Sequence, residues 1–342
     1  MRDNIRKWLQ SEPATVLTRQ GGTDKITKTP AHRRSWFPFP LELEDCCCPI
    51  CSANETDRLL SFDAFGFPTG IVECLCCGMV YVNPRPTRGY MENFYRKWFR
   101  LFYEGRRRVN EKYIQEKKWR EWDLSRVVRY AKHLESSKRM LDIGCGAGYF
   151  AAQVQHDNPG CAVVGIEPDA MMAGFARNNL NLKVYEGFYE TYRTTERYDV
   201  VTAFHVIEHL FDLDGFFEFL RGHLTESGKV IIETPNVDGN WRGTGMFHIA
   251  HLYTFSPRTI SALFDKHGFE ILEVGPLEND LDYSNLYLVA RVSCGRSHLS
   301  VARDPKESTR IAKRCDSVAK VRAVRVMRNW VKMAYFASRY GF

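Results

Sequence analysis

Three sets of residues in this chain have the types and spacing to do chemistry. The first is Asp142-Ile143-Gly144-Cys145-Gly146-Ala147-Gly148, with glycine at alternate positions, followed downstream by Glu167 at the end of Ala162-Val163-Val164-Gly165-Ile166-Glu167. Glycines permit positive φ and close approach of backbone to a ligand. A carboxylate ending the next strand can accept hydrogen bonds from both hydroxyls of a ribose, so the pair reads as a nucleoside site. The second set is Cys48-Pro49-Ile50-Cys51 and Cys74-Leu75-Cys76-Cys77. Two C-x-x-C pairs let four thiolates converge on Zn2+ at about 2.3 Å. The third is His205, His209, His248 and His251. Each can hold or release a proton close to neutrality, since an unperturbed imidazole titrates at about 6.5.

The elements that must position these groups follow from the apolar runs. Arg139–Ile143 and Ala162–Glu167 read as strands flanking a helical segment, a β-α-β unit. Tyr198–Phe204 and Gly228–Pro235 read as further buried strands, and Phe269–Val274 with Leu286–Arg291 as a closing antiparallel pair. Five apolar runs alternating with helices predict an α/β fold with a mostly parallel sheet and ligands at the carboxyl ends of its strands. The glycine spacing separates two nucleoside ligands. A dinucleotide loop is G-x-G-x-x-G, and here Tyr149 occupies the third glycine position, where its bulk would crowd a pyrophosphate. Asp142 would repel a phosphate and suit a cationic group. These features favour S-adenosylmethionine over NAD.

With these motifs the segment resembles class I S-adenosylmethionine-dependent methyltransferases, over roughly residues 125–292. The resemblance implies a seven-stranded Rossmann-like sheet and a cofactor site lined by Asp142, Gly144, Cys145, Gly146, Gly148, Glu167, Phe204 and His205. The cysteine pairs, Asn83-Pro84-Arg85-Pro86 and the aromatic run Phe94–Tyr103 extend the likeness to methyltransferases with an N-terminal zinc ribbon. These include enzymes acting on sugars, surface-polysaccharide precursors and natural products. In that group the N-terminal module helps to cover the substrate cleft. The metal ligands are read as Cys48, Cys51, Cys74 and Cys77, with Cys46, Cys47 and Cys76 as spare thiols able to replace one of them.

Methyl transfer from a sulfonium needs no acid for its leaving group, so only the acceptor calls for a base. His251, His205 and His209 are the candidates, each weighed against a plain structural histidine. The stretch ending His251-Leu252-Tyr253-Thr254-Phe255-Ser256 looks like the region that carries a Glu-His pair in sugar C-methyltransferases. Here Ala250 precedes His251, so no carboxylate supports the imidazole from that position. The preferred reaction is therefore O-methylation of a hydroxyl on a small molecule, sugar or glycan precursor, with sugar C-methylation and RNA methylation as alternatives. The strand end Ala203-Phe204-His205-Val206 lacks the Asp/Asn-Pro-Pro-aromatic motif of amino-methylating nucleic-acid enzymes. An adaptor with a decayed cofactor domain would have lost glycines or the acid, and all are present. His205-Val206-Ile207-Glu208-His209 also matches H-x-x-E-H, a zinc-peptidase pattern. That reading needs one helix, whereas His205 ends a strand, and Glu208 and His209 read simply as polar residues at a helix start.

Composition sets the outer limits. The 342 residues carry a net charge of +7 and 11 cysteines. No run of about 18 apolar residues and no apolar signal core are present, so the expected location is cytoplasmic and the cysteines point to metal or free thiols. The domain reading is a flexible leader at 1–44, the ribbon at 45–90, a helical connector at 91–124, the methyltransferase domain at 125–292 and a basic helical extension at 293–342. From Arg291 on, 13 Lys and Arg stand against 3 acids, a net of +10 that leaves −3 for the rest. Val321, Val324, Met327, Val331 and Ala334 form an apolar stripe beside Arg322, Arg325, Arg328 and Lys332, a basic amphipathic helix. Such a helix suits its own domain, an anionic membrane surface that would make the protein peripheral, or, less well, nucleic acid.

Overall fold

The computed structural model describes residues 15–20, 23–28, 41–61, 63–64, 67, 69–97, 99, 110–116, 119–239, 244–277, 285–293 and 301–315. The chain forms two compact units, Met1–Arg96 with Arg242–Tyr253 and Arg303–Phe342, and Lys97–Trp241 with Thr254–Ala302. The stripe at Val321–Ala334 lies outside the described residues. Among the described residues no helix is long and apolar enough to cross a membrane.

The first unit contains two small sheets. Strands β1 (Thr15–Gln20), β2 (Thr23–Lys28) and β3 (Glu42–Glu44) are followed by β4 (Thr56–Leu60), β5 (Ile71–Cys74), β6 (Val80–Val82) and β7 (Arg85–Pro86). The order β2-β1-β3-β7 means that residues 15–28, within the stretch read as a flexible leader, pair as a hairpin. The second sheet is β13-β6-β5-β4, edged by β13 (Tyr253–Thr254), and the Val82 N–H donates to Leu252 O at 2.9 Å. Helix α1 (Arg88–Lys97) buries Tyr90, Met91 and Phe94, with Phe94 meeting Phe67 edge to face. Buried Asp63 joins distant segments, accepting the Phe67 N–H at 2.8 Å and the Ile249 N–H at 2.7 Å. The chain after Arg303 begins against the same unit. Arg303 and Ser308 both donate to buried Glu73, the former at 2.6 Å, and Ile311 and Cys315 are buried.

The second unit holds the expected seven-stranded sheet. It contains helices α2 (Glu111–Glu116) and α3 (Trp119–Leu134), then β8 (Arg139–Ile143), α4 (Tyr149–Asp157), β9 (Ala162–Glu167), α5 (Ala170–Leu180) and β10 (Lys183–Glu186). After these come β11 (Tyr198–Phe204), α6 (Leu213–His223), β12 (Leu224–Pro235), α7 (Pro257–Lys266), β14 (Phe269–Leu277) and β15 (Asn285–Val292). Strand order is β10-β9-β8-β11-β12-β15-β14, parallel through β12, with β15 antiparallel to both β12 and β14. This is the class I methyltransferase arrangement of a Rossmann-like sheet. The chain leaves β8 toward β9 and β10 and then returns to lay β11 on β8's other side. The switch in direction opens a crevice at the carboxyl end of β8, where doubly wound sheets bind ligands.

Local sequence explains the helix ends beside that crevice. Asp169 caps α5 by accepting the Met171 and Met172 N–H groups at 3.0 Å, and Asn181 ends the helix in a left-handed turn. Ser256 and Thr259 form a reciprocal capping box at the start of α7, with Pro257 in the first turn. The sheet's main core packs Met140, Phe150, Val154, Val163 and Ala173 around buried strands. Helix α3 lies on it through Tyr130 and Leu134, so the helix that crosses residue 124 belongs to this unit.

Candidate functional site

The nucleoside motif forms a loop at the end of β8. Gly144, Gly146 and Gly148 all have left-handed φ, at 72°, 55° and 81°. A Cβ at Gly148 would stand 2.8 Å from Ala176 Cβ and 3.0 Å from Leu182 Cδ2, so the third glycine is required both by conformation and by packing on α5. The N–H groups of Gly144 and Cys145 donate to Ile166 O at 2.8 and 3.1 Å, bringing the loop beside the end of β9. Glu167 completes the connection. Its Oε2 accepts the Gly146 N–H at 2.9 Å and its Oε1 accepts the Asp169 N–H at 2.8 Å.

The remaining cofactor residues take different positions. Asp142 is buried and accepts the Thr202 hydroxyl at 2.7 Å, and burial pushes its carboxyl up to about 7. Asp142 is therefore held inside the sheet against Thr202, a placement its position before the first glycine does not announce. Cys145 is buried as well, and its Sγ fills the space where a Cβ on Gly165 would meet it at 2.5 Å. Burial raises its thiol well above the usual range, so its side chain is packing. Phe204 stacks on Tyr130 at 5.8 Å, meets Phe150 edge to face at 4.9 Å and lies under the Arg126 guanidinium at 4.6 Å.

Two of the three candidate bases belong to this unit. His205 follows β11 with φ 56°, a left-handed conformation uncommon outside glycine. Its N–H donates to Glu233 O at 2.8 Å, its Nδ1 lies 3.3 Å from Glu208 Oε1, and its Nε2 lies 3.3 Å from Asn285 Nδ2. Ile207–His209 is a single 3-10 turn, so the three polar residues of H-x-x-E-H do not share one α-helix. Burial pushes the Glu208 carboxyl up, but the His205 contact and the neighbouring His209 more than reverse this, leaving it below its ordinary value. Behind the turn, buried Glu233 accepts Arg126 and Arg129 at 2.7 Å and Tyr130 at 2.8 Å, tying α3 to β12.

His251 lies in the other unit. It is buried, its Nδ1–H donates to Met246 O at 2.8 Å, and its ring centre is 3.6 Å from that of His248. Sequence reading singled out the loop glycines, Glu167 and the histidines. It treated Glu208 as helix-start polarity and did not single out Thr202, Glu233 or Asn285, which enter only through tertiary packing.

In the first unit the four metal candidates converge. One ligand atom from each of Cys48, Cys51, Cys74 and Cys77 lies within 4.8 Å of the others. Cys48 and Cys77 sulfurs are 3.4 Å apart and those of Cys51 and Cys74 3.5 Å. Tetrahedral zinc with bonds of 2.3 Å would set sulfurs about 3.8 Å apart, so the donor set fits the ion. The knuckles turn at Ser52 and Gly78, both left-handed, and the Gly78 N–H donates to Cys74 O at 2.9 Å. The bond to Cys77 pulls the Cys48 thiol down to about 5 against its burial, while the same contact raises Cys77. Cys47 and Cys76 are exposed, and Cys46 lies against Val82 O and Asn83 Oδ1.

The family model described as "Methyltransferase domain" matches residues 112–274. A ubiquinone biosynthesis O-methyltransferase from Rhodopseudomonas palustris (strain TIE-1) is 32% identical over 109 residues, covering 30% of this chain and 42% of that protein. One from Bradyrhizobium sp. (strain ORS 278) is 32% identical over 121 residues, covering 33% of this chain and 46% of that protein. The chain thus spans less than half the length of these curated relatives. A solved S-adenosylmethionine-dependent methyltransferase from Archaeoglobus fulgidus is 18% identical with a TM-score of 0.43, covering 53% of this chain and all of that one. Residues 112–274 thus match a methyltransferase domain, which here comprises most of the seven-stranded sheet.

Proposed function

We propose that this chain, a class I methyltransferase over residues 112–274, transfers the methyl group of S-adenosylmethionine to a hydroxyl oxygen on a small molecule, sugar or glycan precursor. The observation that carries the reading is the pairing of Glu167 with the Gly146 N–H at 2.9 Å, which holds the ribose-type carboxylate on the rim of the glycine loop. Each carboxylate oxygen can accept more than one bond, so the Gly146 and Asp169 contacts do not by themselves exclude ribose hydroxyls.

When bound, S-adenosylmethionine supplies a sulfonium-activated methyl whose displacement leaves an uncharged thioether. The protein's tasks are orientation, exclusion of water and removal of one proton. The Gly144–Gly148 backbone and Glu167 orient the nucleoside. His205, with 29% of its side chain exposed, takes the acceptor's proton. Oxygen is favoured as the methylated atom because Ala250 precludes a carboxylate partner for His251 from that position, and because the curated relatives are named O-methyltransferases. The four cysteines hold a structural zinc ion that closes the ribbon of the first unit.

Incubation with methyl-labelled S-adenosylmethionine and a panel of sugar nucleotides, hydroxylated small molecules and RNA tests this reading. Label on an oxygen of a small acceptor is the expected result. Label confined to RNA, or NADH binding tighter than S-adenosylmethionine, would overturn it.

A further inference from the structure

His205 is held from three sides, by Glu208 three residues on and by Glu233 and Asn285 from two distant strands. Its backbone is left-handed, at φ 56°, a strained conformation for a residue other than glycine that is retained where the surroundings over-determine it. Its N–H is fixed on Glu233 O of β12, its Nδ1 faces Glu208 and its Nε2 faces Asn285 of β15. Glu208 itself is fully buried, and its second oxygen accepts the hydroxyl of buried Thr234 at 3.1 Å. The Asn285 amide donor addresses Nε2, which sets that nitrogen as the acceptor and leaves the imidazole proton on the Nδ1 side. Oδ1 of Asn285, in a residue only 8% exposed, has no partner among the described residues. The 3.3 Å His205–Glu208 contact is an ion-pair distance, and Glu208 Oε1 accepts no hydrogen bond among the described residues; catalytic pairs are often this loose before they tighten around substrate.

We propose that Glu208 is the positioning carboxylate of His205. It fixes the tautomer with the proton on Nδ1, presents Nε2 as the base, and balances the imidazolium that forms. This rests on the methyl-transfer reading above. As the acceptor oxygen bonds to the methyl carbon, the carbon–sulfur bond breaks with its electron pair left on sulfur. The acceptor's hydroxyl proton passes to Nε2, in the place of the weak Asn285 contact. Glu208 keeps its charge throughout, and Thr234 keeps it aimed. Within this unit, the charged and titratable groups beside the pair include Glu233 from β12, whose carboxyl is engaged by Arg126 and Arg129, and His209 of the same turn.

The test combines Glu208→Gln, which keeps shape while removing charge, with the milder Thr234→Val, which releases the second oxygen. Nitrogen NMR of labelled histidine in the full-length protein reads the tautomer without turnover. In the wild type, His205 is expected to show a protonated Nδ1 and a bare Nε2. Thr234→Val should weaken that bias and lower kcat several-fold. Glu208→Gln should lower kcat ten- to a hundredfold with unchanged affinity for S-adenosylmethionine, and move the acid limb of the pH–rate profile to lower pH. A wild-type His205 with its proton on Nε2, or a pH profile unmoved in folded Glu208→Gln, would overturn the proposal. A Nδ1–H signature that responds to both variants, in a protein that methylates nothing, would leave the positioning intact and remove the reaction.

Discussion

Glu167 Oε2 accepts the Gly146 N–H at 2.9 Å, so the carboxylate we propose for the ribose also ties the glycine loop to the end of β9. Its other oxygen accepts the Asp169 N–H at 2.8 Å, at the start of α5. One side chain therefore organises two backbone segments around the crevice.

From that double role, Glu167→Ala should weaken S-adenosylmethionine by about 1–3 kcal/mol, the cost of leaving polar groups without their acceptor. Glu167→Gln should lose less, because its amide oxygen still accepts one bond. Calorimetry distinguishes the two. Equal affinity in all three proteins would remove Glu167 from the site.

The loop glycines should differ in what they tolerate. Gly146 and Gly148 share left-handed φ, but a Cβ at Gly146 meets nothing within 4 Å, whereas at Gly148 it meets Ala176 and Leu182. Gly146→Ala should cost about 1–2 kcal/mol for the backbone alone. Gly148→Ala should cost a further 1–3 kcal/mol of overpacking. Denaturant melts of the two variants read the difference, and equal losses would mean that α5 yields to the added methyl.

Those glycines illustrate what the sequence makes legible and where it stops. Their spacing, the acid after the next apolar run and the alternation of strands are local patterns, and each survives in the fold. Strand β10 is different, because only Val184 of Lys183-Val184-Tyr185-Glu186 is buried and the period is too short to register. Asp142 follows a legible pattern, yet its burial against Thr202 depends on β11 lying beside β8. Glu208 stands only three residues after His205, but their contact needs His205 in a left-handed turn that its residue type does not announce. Asn285 reaches His205 from a strand at the far end of the domain's sequence.

Zinc should be present at one ion per chain and lost on Cys48→Ser or Cys77→Ser. Because structural zinc contributes folding free energy directly, chelation should expose the first unit to protease while the seven-stranded sheet stays folded. Elemental analysis with limited proteolysis checks both parts. A metal-free protein with unchanged resistance would leave the cysteines as packing.

Asp142 predicts a pH effect of unusual sign. Burial raises its carboxyl from 3.8 to about 7, so between those values the folded state holds a proton that the unfolded state has released. Stability from this group therefore falls as pH rises through that window, by up to about 1.4 kcal/mol per pH unit. Glu208 and Glu233 act oppositely and lower down, since their depressed values contribute stability that is lost only as pH falls below the ordinary carboxylate range. Asp142→Asn should flatten the slope from pH 5 to 7 and leave the acid limb unchanged, as denaturant midpoints across that range would show. A slope identical to wild type would mean that water reaches Asp142.

The Glu233 cluster should be the most expensive ionic contact to break. Glu233 is 2% exposed and serves Arg126, Arg129 and Tyr130, while the Arg126 guanidinium also caps the Phe204 ring. Glu233→Ala would leave the buried Tyr130 phenol without its acceptor and Arg126 with Asp123 alone, at a cost of about 3 kcal/mol. Replacing Glu233 and Arg126 together by leucine and methionine should recover only part of that loss, since the desolvation of both charges goes but Asp123 loses its Arg126 partner. A double-mutant cycle followed by denaturation measures the coupling. The two outcomes carry different meanings for the site, because α3 supports Phe204 and β12 supports the His205 N–H. If the double variant regains stability but not methyl transfer, the ion pair sets the geometry of the β11 terminus; if both return, packing alone suffices there.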